Sequence, residues 1–438
     1  MAYFAAADTA LASLEARVAA LEAAAVTPGG TGTGDPFPPE GGINAMSYCH
    51  GDGTTDDTAH ILSAIAAAAG APVYVPAGTY RLASTLVVPD GTKLVGEGMT
   101  SAWLQGQVAF GSYSTFQDLK IGPASAGVAG LKNVDGANGT SFTRCHFRGG
   151  GAASDSSNSS TVNLGDGRDL SNLTFIDCEF ERSLGTSWSG ASDWTHRENT
   201  VSLYAGGCTI DTVTFRRCHF GVSNGGAAGA SRMMVEAYTF ADAQKRWWWK
   251  NLTFTDCEFE ASNVHTLDFA CGGNGAQGDG VLVEDCLFHG AGVDEKDTAW
   301  GQGICLEWPK NIVIRNNTFY RCAESGIQPS YHSAFAADNN LTVTGNVFNF
   351  DTAEGGIPAT NASCAAFHGA NGTITNNTFT YHGDDFIGCV WFTGSYATGN
   401  TVTGNTFNVS ETQTICRNTG GAADNGEPWT ATNTVNRS

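Results

Sequence analysis

The sequence predicts an all-β chain folded as a right-handed parallel β-helix of about ten coils. A strand motif, apolar-x-x-Cys/Asn-x-Phe, recurs at intervals of 28 to 40 residues. A more variable apolar strand precedes each copy, and 56 glycines against 12 prolines favour tight turns over stiff linkers. A strand repeat of this length is typical of a solenoid in which each repeat forms one coil.

The fourth position of the motif changes from cysteine to asparagine along the chain. Because parallel coils stack equivalent positions about 4.8 Å apart, these residues should form a ladder at one inner corner. Cysteines there would pack as small hydrophobic side chains, and asparagines would hydrogen-bond each other's amides. Metal binding by the thiols is the alternative, which the surrounding phenylalanines disfavour. The ladder positions are Cys145, Cys178, Cys218, Cys257, Cys286, Asn317, Asn346, Asn377 and Asn405.

The N-terminus carries a heptad pattern followed by a linker. Residues 1–25 place apolar side chains at alternating a and d positions, which predicts a coiled-coil helix for attachment and trimerisation. The alternative is a single amphipathic helix docked on the body. Residues 26–42 are rich in Gly, Pro and Thr without periodicity, as in a linker. The apolar positions are Phe4, Ala7, Leu11, Leu14, Val18, Leu21 and Ala25.

The predicted body spans residues 43–410 and begins with a short cap helix. Thr55 or Asp56 can cap a helix that runs to about Ala69, where Gly70 ends it. Residues 411–438 are polar and form a C-terminal segment that either closes the last coil or crosses to a neighbouring chain.

Charge and cysteine usage exclude several classes of protein. The formal net charge of −21 argues against nucleic-acid binding, which requires clustered Lys and Arg. The sequence contains no run of eighteen apolar residues, so we expect no membrane insertion. The N-terminus lacks the features of a signal peptide, so we expect synthesis in a cytoplasm. Thirteen cysteines without a C-x-x-C spacing predict free buried thiols rather than disulfides or a zinc site.

A row of carboxylates is the strongest functional signal. When Leu164, Leu203, Val235, Leu267 and Leu306 of the preceding strands point inward, the next residues form an outward row: Gly165, Tyr204, Glu236, Asp268 and Glu307. The three acids, about 5 Å apart between neighbours, predict a catalytic site, because like charges raise a pKa and keep a general acid protonated. We favour inversion, with Glu236 and Glu307 as the separated pair and Asp268 tuning them or activating water.

Aromatic and polar residues near the same coils are candidate substrate-binding residues. Sugar rings stack their CH faces on aromatic side chains, and tryptophans in exposed loops are otherwise hard to explain. A trimer interface is the alternative for the three consecutive tryptophans. The candidates are Trp247, Trp248, Trp249, Trp300, Trp308, Tyr204, Arg232 and His265.

The cap region resembles the entry to the pectate-lyase-like β-helix superfamily. The resemblance rests on Asp-Gly-Thr-Thr-Asp-Asp-Thr at 52–58 and Val-Tyr-Val-Pro-Ala-Gly-Thr-Tyr at 73–80. It covers about fifty residues and is common in phage tailspikes and depolymerases. It implies that these Asp residues shape the cap. It also implies a homotrimer in a virion tail, attached through residues 1–42, that recognises a bacterial surface polysaccharide.

Three functions are compatible with these features. We favour a tailspike that cleaves polysaccharide by glycoside hydrolysis without a cofactor. The first alternative is a polysaccharide lyase in which Glu236, Asp268 and Glu307 hold Ca²⁺ and Arg232 or Arg315 acts as base. The second is a receptor-binding or structural tail protein without catalysis.

Overall fold

The structure is a computed structural model that describes most of the predicted body. The described residues are 41–151, 160–184, 199–222, 233–240, 248–272, 277–292, 301–307, 309–320, 322–329, 340–351, 362–367, 372–382, 386–392, 401–411, 415–418 and 432–437. All of them belong to the larger of two compact units, Pro38–Ser438. The predicted coiled coil and residues 26–40 of the linker lie outside the described residues.

The described chain contains one α-helix, α1 (Thr58–Ala68), a 3-10 turn at Ala45–Ser47, and forty short strands. The first strands are β1 (Ile43–Asn44), β2 (Asp52–Asp56), β3 (Val73–Val75), β4 (Gly78–Arg81), β5 (Leu86–Val88), β6 (Lys93–Gly96), β7 (Ala102–Gln105), β8 (Val108–Phe110), β9 (Thr115–Gln117), β10 (Lys120–Ile121), β11 (Leu131–Asn133), β12 (Ala137–Asn138), β13 (Ser141–Thr143) and β14 (His146–Phe147). Next come β15 (Val162–Gly165), β16 (Leu170–Ile176), β17 (Glu179–Glu181), β18 (Val201–Tyr204), β19 (Thr209–Arg216), β20 (His219–Val222), β21 (Val235–Phe240), β22 (Trp248–Thr255), β23 (Glu258–Phe259), β24 (Leu267–Gly272), β25 (Gln277–Glu284), β26 (Leu287–Phe288) and β27 (Gln302–Glu307). The last are β28 (Lys310–Arg315), β29 (Thr318–Tyr320), β30 (Ser325–Pro329), β31 (Leu341–Thr344), β32 (Val347–Asn349), β33 (Ala362–Phe367), β34 (Thr373–Thr375), β35 (Thr378–Tyr381), β36 (Phe386–Phe392), β37 (Thr401–Thr403), β38 (Thr406–Val409), β39 (Cys416–Asn418) and β40 (Thr434–Arg437).

These strands form three parallel sheets, as a β-helix requires. Sheet A contains β1-β3-β6-β9-β13-β16-β19-β22-β25-β28-β31-β34-β37, with β12 beside β16. Sheet B contains β2-β4-β7-β10-β14-β17-β20-β23-β26-β29-β32-β35-β38-β40, and sheet C runs from β5 through β8, β11, β15, β18, β21, β24, β27, β30, β33 and β36 to β39. With 12 to 14 strands per sheet, the solenoid is longer than the predicted ten coils. The prediction was short because the first coils lack the Cys/Asn-x-Phe motif.

Phenylalanine stacks fill the interior and confirm the repeat. On sheet A, the rings of Phe142 and Phe175 stack with centroids 5.0 Å apart, and on sheet B Phe288 and Phe319 stack at 4.5 Å. The sheet B stack continues without interruption from Phe147 to Phe407. Each ring covers the one below because parallel pairing keeps equivalent residues in register, which adds ring–ring contact to the apolar area buried.

The predicted Cys-to-Asn ladder is confirmed. All five ladder cysteines are buried free thiols. Above them, Asn317 Nδ2 donates to Asn346 Oδ1 at 2.9 Å, and Asn346 Nδ2 donates to Asn377 Oδ1 at 3.0 Å. The chain of amides continues through Asn405 to Asn433, one coil beyond the predicted end. Buried amides this well paired hold the corner in a single conformation.

The turn before each ladder residue explains its polar composition. The residue in that turn has a left-handed backbone, with φ of 54° at Asp177, 57° at Asn316 and 68° at Gly345. Asp, Asn and Gly tolerate this conformation better than most residues, so they recur at this position.

The cap helix begins one to two residues later than predicted. Its N-cap is Asp57, not Thr55 or Asp56, because residues 52–56 form strand β2. The carboxylate of Asp57 accepts the backbone N–H groups of His50 and Gly51 at 2.8 and 2.9 Å. Asp56 Oδ1 accepts the Thr58 hydroxyl at 2.6 Å, so both acids shape the cap as expected.

The C-terminal segment contributes two more strands to the solenoid. Strand β39 pairs with β36 in sheet C, and β40 pairs with β38 in sheet B. Residues 416–418 and 434–437 therefore continue the coils of the same chain.

Candidate active site

The three acids predicted to be catalytic, together with Tyr204, lie on the outer side of sheet C. In β18, β21, β24 and β27, alternate side chains belong to the hydrophobic core, as predicted from their period of two. The inward residues are Val201, Leu203, Val235, Ala237, Leu267, Phe269, Ile304 and Leu306. The residues between them therefore face away from the coil interior.

Strand pairing places Glu236 beside Asp268 but moves Glu307 out of their row. Glu236 pairs with Asp268, whereas Asp268 pairs with Cys305. Glu307 pairs instead with Ala270, two residues further along the strand. The predicted row of three acids is therefore wrong. A slip of two residues leaves the inside–outside alternation unchanged, so the pattern of apolar residues could not reveal it.

Two outward rows replace the single predicted one. Tyr204 pairs with Tyr238, which pairs with Ala270 and so leads to Glu307. The rings of Tyr204 and Tyr238 stack with centroids 6.1 Å apart. The other row, which we call the polar stripe, consists of Asn163, Ser202, Glu236, Asp268, Cys305 and Gln328.

The side chains of the polar stripe are buried, although they point away from the interior of the coil. Its six members are between 1% and 5% exposed, and Asn199 Nδ2 donates to Glu236 Oε2 at 2.6 Å. Among the described residues, the side-chain oxygens of Asn163, Asn199 and Gln302 are buried without a hydrogen-bond partner. Buried polar atoms of this kind are rare in folded proteins and are typical of ligand sites. The side chains of Tyr204 and Glu307 remain partly exposed at the edge of the stripe.

Glu324 is a fourth carboxylate that the sequence analysis missed. It precedes β30, and Gln328 Nε2 donates to its Oε1 at 2.9 Å, while Gln302 Nε2 donates to its other oxygen. Burial raises the pKa of Glu324 to about 7. The hydrogen bonds from the two glutamine amides lower this pKa, but burial outweighs them, so a protonated fraction persists near neutral pH. Two glutamines flanking an acid at a coil corner were the available signal.

Cys305 marks the point at which the acids converge. Burial raises the pKa of its thiol, and the negative charges of Asp268, Glu307 and Glu324 raise it further. Asp268 and Gln328 are two coils apart in register, so about 10 Å separates them, and Gln328 holds Glu324.

The predicted aromatic site is only partly at the surface. Trp249 is fully buried against Phe269, so its prediction as a sugar-binding residue is wrong. His265 is buried, with 2% of its surface exposed. Trp248 is 37% exposed but lies on sheet A, where Lys250 Nζ sits 5.4 Å from its ring centroid. The two tryptophans differ because they occupy successive positions of a strand, not a loop.

Four other predicted binding residues, Trp247, Trp300, Trp308 and Arg232, lie outside the described residues. In the part of the chain that the structure describes, no helix is long and apolar enough to cross a membrane.

Comparison with known proteins shows the fold. Residues 239–407 match the family described as the right-handed β-helix region. The surface protein and adhesin PfbA of Streptococcus pneumoniae is similar in structure, with 15% identity and a TM-score of 0.54 over 84% of this chain and 97% of that one. The Dettilon tailspike protein is 14% identical, with a TM-score of 0.53 over 87% of this chain and 69% of its own. No curated protein matches the sequence.

Proposed function

We propose that this protein is a phage tailspike that binds a bacterial surface polysaccharide and cleaves it by inverting glycoside hydrolysis. The observation that carries the proposal is Glu324, a buried carboxyl with a pKa of about 7, held beside the row that contains Asp268. General acids need a pKa near the working pH, and a buried carboxyl without a cationic partner meets that need.

In the proposed reaction, Glu324 donates its proton to the glycosidic oxygen as the bond to the anomeric carbon breaks. Asp268 accepts a proton from a water molecule whose oxygen attacks that carbon from the opposite face. The two-coil step of about 10 Å from Asp268 to Gln328, which holds Glu324, is close to the spacing of about 6.5 to 9.5 Å typical of inverting enzymes. Glu236, next to Asp268, supplies negative charge that favours an oxocarbenium-like transition state.

The stacked pair Tyr204 and Tyr238 is the proposed sugar platform. Tyr238 lies on β21 with Glu236, and Tyr204 lies on β18, one coil further from Asp268. Parallel rings at successive coils present a flat apolar strip to the CH faces of consecutive sugars. Glu307 continues the same row and offers a polar contact to the chain.

The test is depolymerisation by the purified full chain. We expect shortened chains from at least one member of a panel of bacterial capsular polysaccharides, and strongly reduced cleavage by Asp268→Asn. Glu284→Gln is the control, because Glu284 pairs with Arg315 at 2.6 Å on sheet A, away from sheet C. Undiminished cleavage by Asp268→Asn would place the reaction elsewhere. Binding without cleavage by the wild type would make the protein a receptor-binding protein.

The anomeric configuration of the first product separates the mechanisms. Inversion is expected from Asp268 and Glu324. Retention would assign the reaction to the adjacent pair Glu236 and Asp268, since about 5 Å is the spacing of retaining enzymes. Unsaturated products that absorb in the ultraviolet, together with inhibition by a chelator, would identify a calcium-dependent lyase instead.

We also propose that the chain forms a homotrimer in a virion tail, attached through residues 1–42. Sedimentation of the full chain is expected to give three times the chain mass of 45.7 kDa. Removal of residues 1–25 is expected to leave the body at least partly trimeric. A monomeric full chain would contradict the proposal.

A further inference from the structure

A cluster of histidine and glutamate side chains lies on the outer side of sheet B, on a different sheet from the proposed active site. His219 pairs with Glu258 between β20 and β23, and Glu260 follows two residues later on the same face. One ligand atom from each of these three side chains lies within 4.8 Å of the other two. His219 Nε2 is 3.0 Å from Glu260 Oε1.

We propose that His219, Glu258 and Glu260 bind a divalent transition-metal ion such as Zn²⁺. Zinc lies about 2.0 to 2.2 Å from imidazole nitrogen and carboxylate oxygen, so its ligand atoms stand roughly 3.4 Å apart in a tetrahedron. The three side chains reach that arrangement with small rotations. All three are partly exposed, which leaves the fourth position to water.

His289 supplies the outer support that metal sites need. Its Nε2 lies 2.8 Å from Glu258 Oε1, and its ring stacks on Tyr320 with centroids 6.1 Å apart. Ligating carboxylates are commonly oriented by such hydrogen bonds, and their loss weakens binding. His289 is therefore a positioning residue for Glu258.

A related cluster further down sheet B shows why a metal fits at His219. There, His146 Nδ1 contacts Glu179 at 2.9 Å and its Nε2 contacts Glu181 at 2.6 Å, so both ring nitrogens are engaged. Lys120 and Arg148 also lie 3.5 and 3.7 Å from Glu181 and balance its charge. In the His146 cluster, both imidazole nitrogens are therefore already hydrogen-bonded, and the negative charge of Glu181 is already balanced, so the cluster is less suited to a metal ion.

The His219 cluster has less of this balance, although the hydrogen bond with His219 and the positive charges of His289 and Arg182 lower the pKa of Glu260. In the ranges that the structure describes, no Lys or Arg forms an ion pair with Glu258 or Glu260. Arg182 is nearby, but its guanidinium donates to the carbonyl oxygens of Gly221 and Ala261 at 3.2 and 2.7 Å. Two carboxylates and imidazole nitrogen, in a chain of net charge −21, favour a divalent cation. Imidazole selects Zn²⁺, Co²⁺ or Ni²⁺ over Mg²⁺ and Ca²⁺.

The test is titration of the chelator-treated full chain with Co²⁺, monitored by visible absorption spectroscopy. The bound Co²⁺ is then displaced with Zn²⁺. His50, Asp57 and His60 form a second group of possible ligands at the cap, so all variants carry His60→Gln. In this background we expect one Co²⁺ per chain without a thiolate charge-transfer band. When Glu260→Gln or Glu258→Gln is introduced into the His60→Gln chain, the affinity for Co²⁺ should fall at least tenfold. Introduction of His289→Gln should lower it about tenfold.

Glu284→Gln is the control, because it alters an ion pair with Arg315 on sheet A, away from the three proposed ligands. It should leave the affinity for Co²⁺ unchanged. Thermal unfolding in chelator checks that each variant is folded, and addition of Zn²⁺ should raise the unfolding temperature only where the three ligands are intact. The proposal is overturned if the His60→Gln chain binds no Co²⁺, or if both glutamate variants bind it as tightly as their parent.

Discussion

The outer faces of sheets B and C carry acids at the same spacing in opposite environments. On sheet B, hydrogen bonds from His146 and His289 lower the pKa values of Glu179 and Glu258. On sheet C, burial raises the pKa of Glu324 to about 7, although hydrogen bonds from two glutamine amides oppose the shift. The coil fixes the spacing on both faces, and the neighbouring side chains decide the protonation state.

This difference assigns separate roles to the two faces. A carboxylate paired with a histidine or an arginine stays ionised, which suits a structural contact or a metal ligand. A carboxyl whose pKa is raised by burial to about 7 keeps a protonated fraction near neutral pH, which suits proton donation. The proposed proton transfer is therefore assigned to sheet C, and charge pairing to sheet B.

The largest expected effect tests the acid on sheet C. Glu324→Gln should lower the rate of polysaccharide cleavage by about 10² to 10⁴-fold, because glutamine cannot donate a proton. The wild-type rate should fall as pH rises through about 7, since the acid must be protonated, and the residual rate of the variant should lose this dependence. Initial rates across pH check both. Glu258→Gln on sheet B, assayed in chelator, should cleave at the wild-type rate.

The next effect tests the charge pairing on sheet B. Glu181→Gln should lower the free energy of unfolding by about 3 kcal/mol, since it removes the buried partner of His146, Lys120 and Arg148. Although burial opposes both shifts, the contact lowers the pKa of Glu181 and raises that of His146. The loss should therefore be greatest between about pH 4.5 and 6.5, the ordinary values of the two groups. Guanidinium titrations at several pH values measure it, and a loss independent of pH would contradict the pairing.

The same measurement on sheet C should give the opposite sign. A raised pKa means that folding penalises the ionised form of Glu324, with no penalty below about 4.5 and the full penalty above about 7. Glu324→Gln should therefore stabilise the protein at pH 8, by up to about 3 kcal/mol, and the gain should disappear near pH 4. A variant that is less stable than the wild type at pH 8 would show that Glu324 has a cationic partner.

The smallest effect is expected at the exposed part of sheet B. In metal-free protein, Glu258→Gln should change the free energy of unfolding by less than about 1 kcal/mol, because the side chain is 45% exposed and its ion pair with His289 is screened by water. The lowered pKa of Glu258 means that this contribution is lost as pH falls below about 4.5. Chemical denaturation in chelator checks it. If Glu258→Gln lowered the free energy of unfolding as much as Glu181→Gln does, burial would not explain the difference in stability between the two clusters.

The repeat was predictable because its evidence is local. The Cys/Asn-x-Phe motif places one residue at the inner corner and one ring in the core, and both ladders follow from parallel stacking. The presence of a cap helix near residues 55–69 was also predictable, but its first residue was not. Asp57 caps the helix because strand β2 occupies the positions before it.

The site was predictable only in part, because register and burial depend on distant residues. The sequence alone determined that this chain forms a β-helix, that Glu236 and Asp268 lie on one outward face, and that the cysteines and asparagines share a corner. The tertiary structure decided that Glu307 leaves the row, that Trp249 enters the core and that Glu324 joins the site. Alternation of side chains fixes which face a residue occupies. Loops of unequal length set the register between coils and so decide which residue lies beside it. That neighbouring residue influences the protonation state of an acidic side chain.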